Sequence, residues 1–261
     1  MRALWLENQQ LRYCTQLPQP VPAAHEALVR VRLAGICATD IALINGYYPH
    51  HGIIGHEFVG EIVSAAAAPE RGGERVVGEI NLACGHCLAC QRGQGNHCQQ
   101  RRVLGIWQHP GAFADYLCLP LANLHSVPKT VTDEAAVFTE PLAAALAIQH
   151  QLAIQGQVLI IGAGRLGQLI AQSLALSGCG LQVVARYDNQ RQQLTARHIA
   201  WLDEQSIIPA YYDIVVEATG SAAGFNLARQ AVRAGGNIVL KSTYRGEIQL
   251  NLATWVVDEI R

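Results

Sequence analysis

Hydrophobic and polar positions change rhythm about half way along the chain. Before residue 130 short runs alternate with a period of two: Ala27-Leu-Val-Arg-Val-Arg-Leu33 sets apolar and polar side chains on opposite faces, and residues 58–63 and 75–78 read alike. This predicts half-buried β-strands, with turns at the Gly, Pro and polar clusters between them. From Glu140 the texture differs. Residues 141–149 are Ala-rich and helical, 157–161 form a buried strand and 166–176 a second helix, with further strands at 181–185, 213–217 and 237–241. Strands alternating with helices predict a parallel sheet joined by right-handed crossovers. The expected fold class is therefore α/β in two domains, a mostly β unit over 1–140 and a doubly wound unit over 141–261, with the boundary in the 130–150 region. The low-complexity pieces, 65–68 and 190–193, are expected at the surface.

Length agrees with two domains, since 261 residues exceed the common single-domain size of about 100–150. The formal net charge of −1 supplies no electrostatic reason to bind nucleic acid or an anionic membrane. Met1-Arg-Ala-Leu-Trp-Leu-Glu-Asn8 lacks the apolar core of a signal peptide, and no apolar run approaches the roughly 18 residues of a membrane span. A cytoplasmic location is expected. In a reducing compartment eight cysteines are better explained by metal than by disulfides.

Four of them lie close together, in Cys84-Gly-His-Cys87-Leu-Ala-Cys90 and Cys98. Short Cys-x-x-Cys spacings let neighbouring thiols reach one tetrahedral zinc ion without straining the loop, a structural site for which a disulfide pair is the alternative. His86 and His97 read as loop surface, and Cys14, Cys118 and Cys179 as ordinarily buried thiols.

In the second half, Gly162-Ala-Gly164-Arg165-Leu166-Gly167 follows the apolar strand Val158-Leu-Ile-Ile161 directly and opens a helix. In that setting the glycines serve a turn, the approach of backbone to a pyrophosphate, and close helix–strand packing. Arg165 and Leu166 start the helix whose N-terminus offers N–H groups to the phosphates. Where such folds carry an acid for the ribose, this chain has Arg186, which favours NADP over NAD; Asp188, two residues on, is near enough to be the acid instead. In the first half Gly35-Ile-Cys37-Ala-Thr39-Asp40 and Gly55-His56-Glu57-Phe-Val-Gly60 set potential metal ligands in turns between strands.

Together with Gly73-Glu-Arg-Val76, Gly111-Ala-Phe-Ala114-Asp-Tyr116 and Thr139-Glu140-Pro141-Leu142-Ala143, these motifs run in family order, and the chain resembles the zinc-dependent medium-chain dehydrogenases/reductases, the alcohol and polyol dehydrogenase superfamily. The resemblance implies a GroES-like catalytic domain on a Rossmann domain, an active site in the cleft between them, one catalytic and one structural zinc, and NADP or NAD. It implies Cys37, His56 and Glu140 as catalytic zinc ligands, with Glu57 either a ligand or a support for His56. Thr39 matches the hydroxyl that relays the alcohol proton, its alternative being a plain turn residue. The substrate would be a small alcohol, or a carbonyl in a reductase running with NADPH. Two departures stand out. Ile41, Ala42 and Leu43 occupy the region where many relatives carry a relay histidine, leaving His50 and His51 as candidates for the mouth of the cleft. The chain also stops at Arg261, near the expected start of a sixth strand, which predicts an open edge at the fifth. Homo-oligomers are usual in the family, and so short a C-terminus argues against one here. A non-catalytic relative that keeps zinc and nucleotide is the alternative reading.

Overall fold

The computed structural model describes residues 1–243 and 247–261, in two compact units, Met1–Glu140 and Pro141–Arg261. In the first, β1 (Ala3–Glu7) pairs antiparallel with both β2 (Gln10–Cys14) and β4 (His51–Ile53). Between the latter two lie β3 (Glu26–Gly35) and α1 (Ala38–Ile44). The main sheet runs β10-β3-β5-β6-β11, with β5 Glu57–Ala65, β6 Arg75–Gly78, β10 Tyr116–Pro120 and β11 Leu124–Ser126. Its core gathers Val29, Phe58, Ile62, Leu117 and Leu119 from alternate positions, as the period-two pattern requires. Ala65, expected at the surface, packs into this core at 4 % exposure because it closes β5 on the inward face.

The cysteine-rich segment folds as a lobe of small pieces: β7 (Asn81–Leu82), α2 (Leu88–Gln91), β8 (Arg102–Leu104) and β9 (Gln108–His109). Beyond it α3 (Asp133–Ala136) is capped by the Thr132 hydroxyl, and Asp133 receives ion pairs from Arg32 and Arg75 at 2.7 and 3.0 Å. Helix α4 (Thr139–Gln151) opens where the units divide.

The second unit is a parallel sheet of β12 (Gln157–Ile161), β13 (Gly180–Val184), β14 (Ala200–Leu202), β15 (Tyr212–Glu217) and β16 (Val232–Leu240). Its helices are α5 (Arg165–Ala175), α6 (Asp188–Thr195), α7 (Ala222–Ala231) and α8 (Leu252–Val257). The strand order β14-β13-β12-β15-β16 reverses direction between β12 and β15. Such a reversal opens a crevice at the carboxyl ends of the strands, where doubly wound sheets bind ligands. Val158, Ile160, Val183, Ile214 and Val216 pack on one face, while Leu159, Ile161, Val215 and Ile238 face the other. Burial on both faces explains why these strands read as continuous apolar runs, each aliphatic chain contributing about 1.5–3 kcal/mol. The outer edge of β16, expected to be open, is partly paired: Ile238 N–H donates to Arg261 C=O at 2.8 Å and Arg261 N–H to Gly236 C=O at 3.1 Å.

The start of β12 is tied to β15 by one carboxylate. Asp213 accepts the Gln157 N–H at 2.7 Å and the Arg233 Nε–H at 2.8 Å, and these two contacts, the backbone one first, hold its pKa below the ordinary value. A depressed carboxylate stabilises above its unfolded pKa of about 3.9 and loses that contribution as pH falls through the folded value. Asp213→Asn is therefore expected to melt below the parent at pH 7, with the two melting temperatures converging below about pH 4, measurable by circular dichroism against pH.

Candidate metal sites and nucleotide cavity

Cys37 ends the turn after β3 and precedes α1, while His56 and Glu57 sit where the chain enters β5. Three hydrogen bonds fix that entry, from Gly111, Ala112 and Phe113 N–H to the carbonyls of Ile53, Gly55 and Ile54 at 2.8–2.9 Å. The Gly111-Ala-Phe motif is thus the brace behind the histidine. Gly105 lies so close that a Cβ there would stand 2.0 Å from Gly55 O. The result is a three-residue group, Cys37, His56 and Glu57, whose ligand atoms all lie within 4.8 Å of one another. Gly35 pairs with Glu57 across the β3–β5 ladder, and a Cβ on it would meet Glu57 Oε2 at 2.4 Å, so glycine leaves room for the carboxylate.

Asp40, which sequence reasoning left without a role, organises this group. It is 1 % exposed; Oδ2 accepts the Cys37 N–H at 2.8 Å, and Oδ1 lies 3.2 Å from Nδ1 of His56, itself 3 % exposed. Asp40 Oδ1 and His56 Nδ1 otherwise have no hydrogen-bond partner among the described residues. Buried polar atoms call for a partner, and these two face each other. Burial disfavours a charged His56, yet Asp40 and Cys37 outweigh that and raise it to about 10. Surroundings that favour positive charge on this ring also favour a divalent cation beside it, and a sulfur, nitrogen and oxygen donor set suits zinc.

Glu140 is half-buried at the start of α4 and outside the three-residue group, yet near enough to feel it. Burial raises its pKa, His56 opposes this, and Glu57, Glu79 and Asp40 add to it. Thr39 Oγ1 stands 3.7 Å from Cys37 Sγ. His51 is turned elsewhere, its ring edge-on to Trp5 at 5.1 Å and Nδ1 3.2 Å from Glu7. His50 is half-buried, with Nδ1 donating to Ile106 C=O at 3.2 Å.

The four lobe cysteines form a second group. Sγ of Cys87 lies 3.5 Å from that of Cys90 and 3.8 Å from that of Cys98, and Cys84 and Cys90 are 3.9 Å apart. Disulfides need about 2.05 Å, whereas a tetrahedron with zinc–sulfur bonds of about 2.3 Å has edges of about 3.8 Å. Backbone N–H groups of Cys90 and Gln99 pull Cys87 down to about 6, while burial and the adjoining thiols push Cys90 up to about 12. His86 and His97 are exposed; Cys14, Cys118 and Cys179 are half-buried, with burial pushing Cys118 up to about 11.

In the second unit a cavity of about 570 Å³ opens at the β12–β15 reversal. Each glycine of the turn has a distinct constraint. Gly162 has φ +105°, and a Cβ on it would strike Thr219 and Ala218. A Cβ on Gly167 would lie 1.9 Å from Gly162 O, whereas one on Gly164, which lines the cavity, would meet nothing within 4 Å. Arg165 is exposed, and Leu166 turns into the core against the sheet rather than into the cavity. Arg186 lines the cavity, already paired with Glu204 at 3.3 Å. Asp188 does not line it and faces Arg191 at 3.4 Å. Gln190, expected at the surface, also lines it and accepts from the Arg186 and Tyr187 N–H groups at 3.3 Å. Sequence reasoning missed Arg191 and Thr219; an arginine one helical turn into α6 was the available signal for the first. Gly164→Ala is expected to keep the parent melting temperature yet weaken NAD(P)H binding about tenfold in a fluorescence titration. Gly167→Ala should instead lose about 2 kcal/mol or more of stability by forcing α5 off the turn.

Among the described residues no helix is long and apolar enough to cross a membrane. Residues 23–129 match the alcohol dehydrogenase GroES-like domain, and residues 144–237 match the shikimate/quinate 5-dehydrogenase model. An L-threonine 3-dehydrogenase of Chelativorans sp. strain BNC1 is 32 % identical over 259 residues, covering 91 % of this chain and 72 % of that protein. The L-galactonate-5-dehydrogenase of Escherichia coli K12 is 32 % identical over 256 residues, covering 89 % and 73 %. A crystal structure assigned as a zinc-binding dehydrogenase from Sinorhizobium meliloti 1021, bound to NADP, superposes with a TM-score of 0.88 at 28 % identity over 100 % of this chain and 82 % of that one. With its two units folded as described, the chain belongs to the zinc-dependent medium-chain dehydrogenases/reductases, the superfamily of alcohol and polyol dehydrogenases.

Proposed function

We propose that this protein is a zinc-dependent oxidoreductase that transfers hydride between NAD(P) and a small alcohol or polyol, or the matching aldehyde or ketone. One observation carries the reading: Cys37, His56 and Glu57 converge to within 4.8 Å around a buried Asp40 that contacts the first two. When bound, zinc supplies Lewis acidity to polarise the substrate oxygen, and the nicotinamide takes up or gives the hydride.

The chain's own groups do the rest. Cys37, His56 and Glu57 would hold the catalytic ion, and Glu140, whose carboxyl senses the charges of His56 and Glu57, would be a further candidate ligand. Asp40 orients the His56 ring through Nδ1, leaving Nε2 as the ligand nitrogen, and fixes the cysteine backbone. Thr39, beside the cysteine sulfur, would relay the hydroxyl proton of an alcohol, accepting it as it passes its own proton on toward the cofactor ribose. Cys84, Cys87, Cys90 and Cys98 would hold a structural zinc that ties down a lobe too small for a core of its own. Gly162, Gly164 and the N–H groups opening α5 would seat the pyrophosphate, and Arg186 and Arg191 would face the adenosine ribose. A small-molecule alcohol or carbonyl partner follows from this chemistry, and the cytoplasm is the proposed setting.

Elemental analysis of the folded monomer tests the assignment. About two zinc ions per chain are expected in the parent, about one in Cys37→Ala and about one in Cys98→Ala. One ion in both the parent and Cys37→Ala would remove the catalytic assignment and leave the lobe.

A further inference from the structure

Arg186 is not an isolated cation. Arg186 and Arg191 line the cavity together with Asp203 and Glu204, two positive groups against two negative, and Asp188, outside the cavity, pairs with Arg191. The two guanidiniums differ in freedom. Arg191 is three-quarters buried: it pairs with Asp203, donates Nε–H to Ala185 C=O at 3.1 Å, and stacks 4.9 Å over the Trp201 ring. Arg186 keeps a side-chain exposure of 71 %, and Glu204, at 42 %, is the carboxylate paired with it. Both of these residues line the cavity.

We propose that Glu204 sets cofactor selectivity by competing with the 2′-phosphate of NADP for Arg186. The inference rests on the reading above that the cavity takes NAD(P). A 2′-phosphate would need the guanidinium that Glu204 holds, and would meet that carboxylate's negative charge at close range. A ribose 2′-hydroxyl carries no charge and leaves the ion pair intact. Exposed ion pairs exchange readily, so NADP is disfavoured by Glu204 without being excluded. The parent chain therefore discriminates weakly between the two cofactors, although an arginine at this position normally marks NADP. Arg191, already held by its own partners, stays in place whichever cofactor enters.

Dissociation constants for NADPH and NADH, measured by fluorescence titration of the zinc-loaded full chain, test this. Glu204→Gln is expected to tighten NADPH roughly three- to tenfold while NADH stays within about twofold. The gain should vanish in the double variant Arg186→Gln/Glu204→Gln. An unchanged NADPH-to-NADH ratio in Glu204→Gln, or a gain that persists without Arg186, overturns the proposal. Glu204→Ser gives the same test through a second exposed replacement should the glutamine variant fold poorly. A parent chain that binds neither nucleotide overturns both this inference and the functional reading, whereas binding with an insensitive ratio overturns this inference alone.

Discussion

Asp40 places a carboxylate, 1 % exposed, against the Cys37 amide on one side and the His56 ring on the other. A buried carboxylate is tolerated only where polar groups face it, and here those groups belong to two separate segments. The cysteine turn after β3 and the histidine entry to β5 must both be in register for Asp40 to be tolerated. Much of the first unit then follows as support. The 111–113 segment braces the histidine strand by three backbone hydrogen bonds, and Gly35 yields the space that Glu57 occupies.

The second unit is governed by close approach. Gly167 lies against the Gly162 carbonyl, which draws α5 tight to the sheet, and Gly164 is left facing open space. That pairing of contact and clearance leaves a cavity open at one end of the sheet. Around it charge is balanced rather than concentrated, with Arg186 paired to Glu204 and Arg191 to Asp203 along the cavity lining.

Much of this could be read along the chain. Period-two alternation located β3, β5 and β6, and continuous apolar runs located β12, β13 and β15, because burial on one face or two leaves a direct imprint on side-chain polarity. Ala65 and Gln190 went the other way. Low complexity suggested surface, but a strand face buried the first and a cavity recruited the second. Leu166 packs its side chain against the core, since a helix rotates each successive side chain by about 100°, while its backbone N–H stays in the turn that opens α5.

Local spacing was sufficient to identify the four-cysteine lobe and the glycine turn, since each is a short-range device whose constraints act within a few residues. The sequence by itself also determined the fold class, through hydrophobic periodicity, and the family, through the order of its motifs. Tertiary structure alone decided that Asp40 joins Cys37 to His56, that His51 is drawn to Trp5 and Glu7, and that Arg186 is met by Glu204. Those pairings link residues up to 46 apart through strand register and the reach of side chains across it. Composition and spacing carry no record of which carboxylate a folded chain brings to which cation.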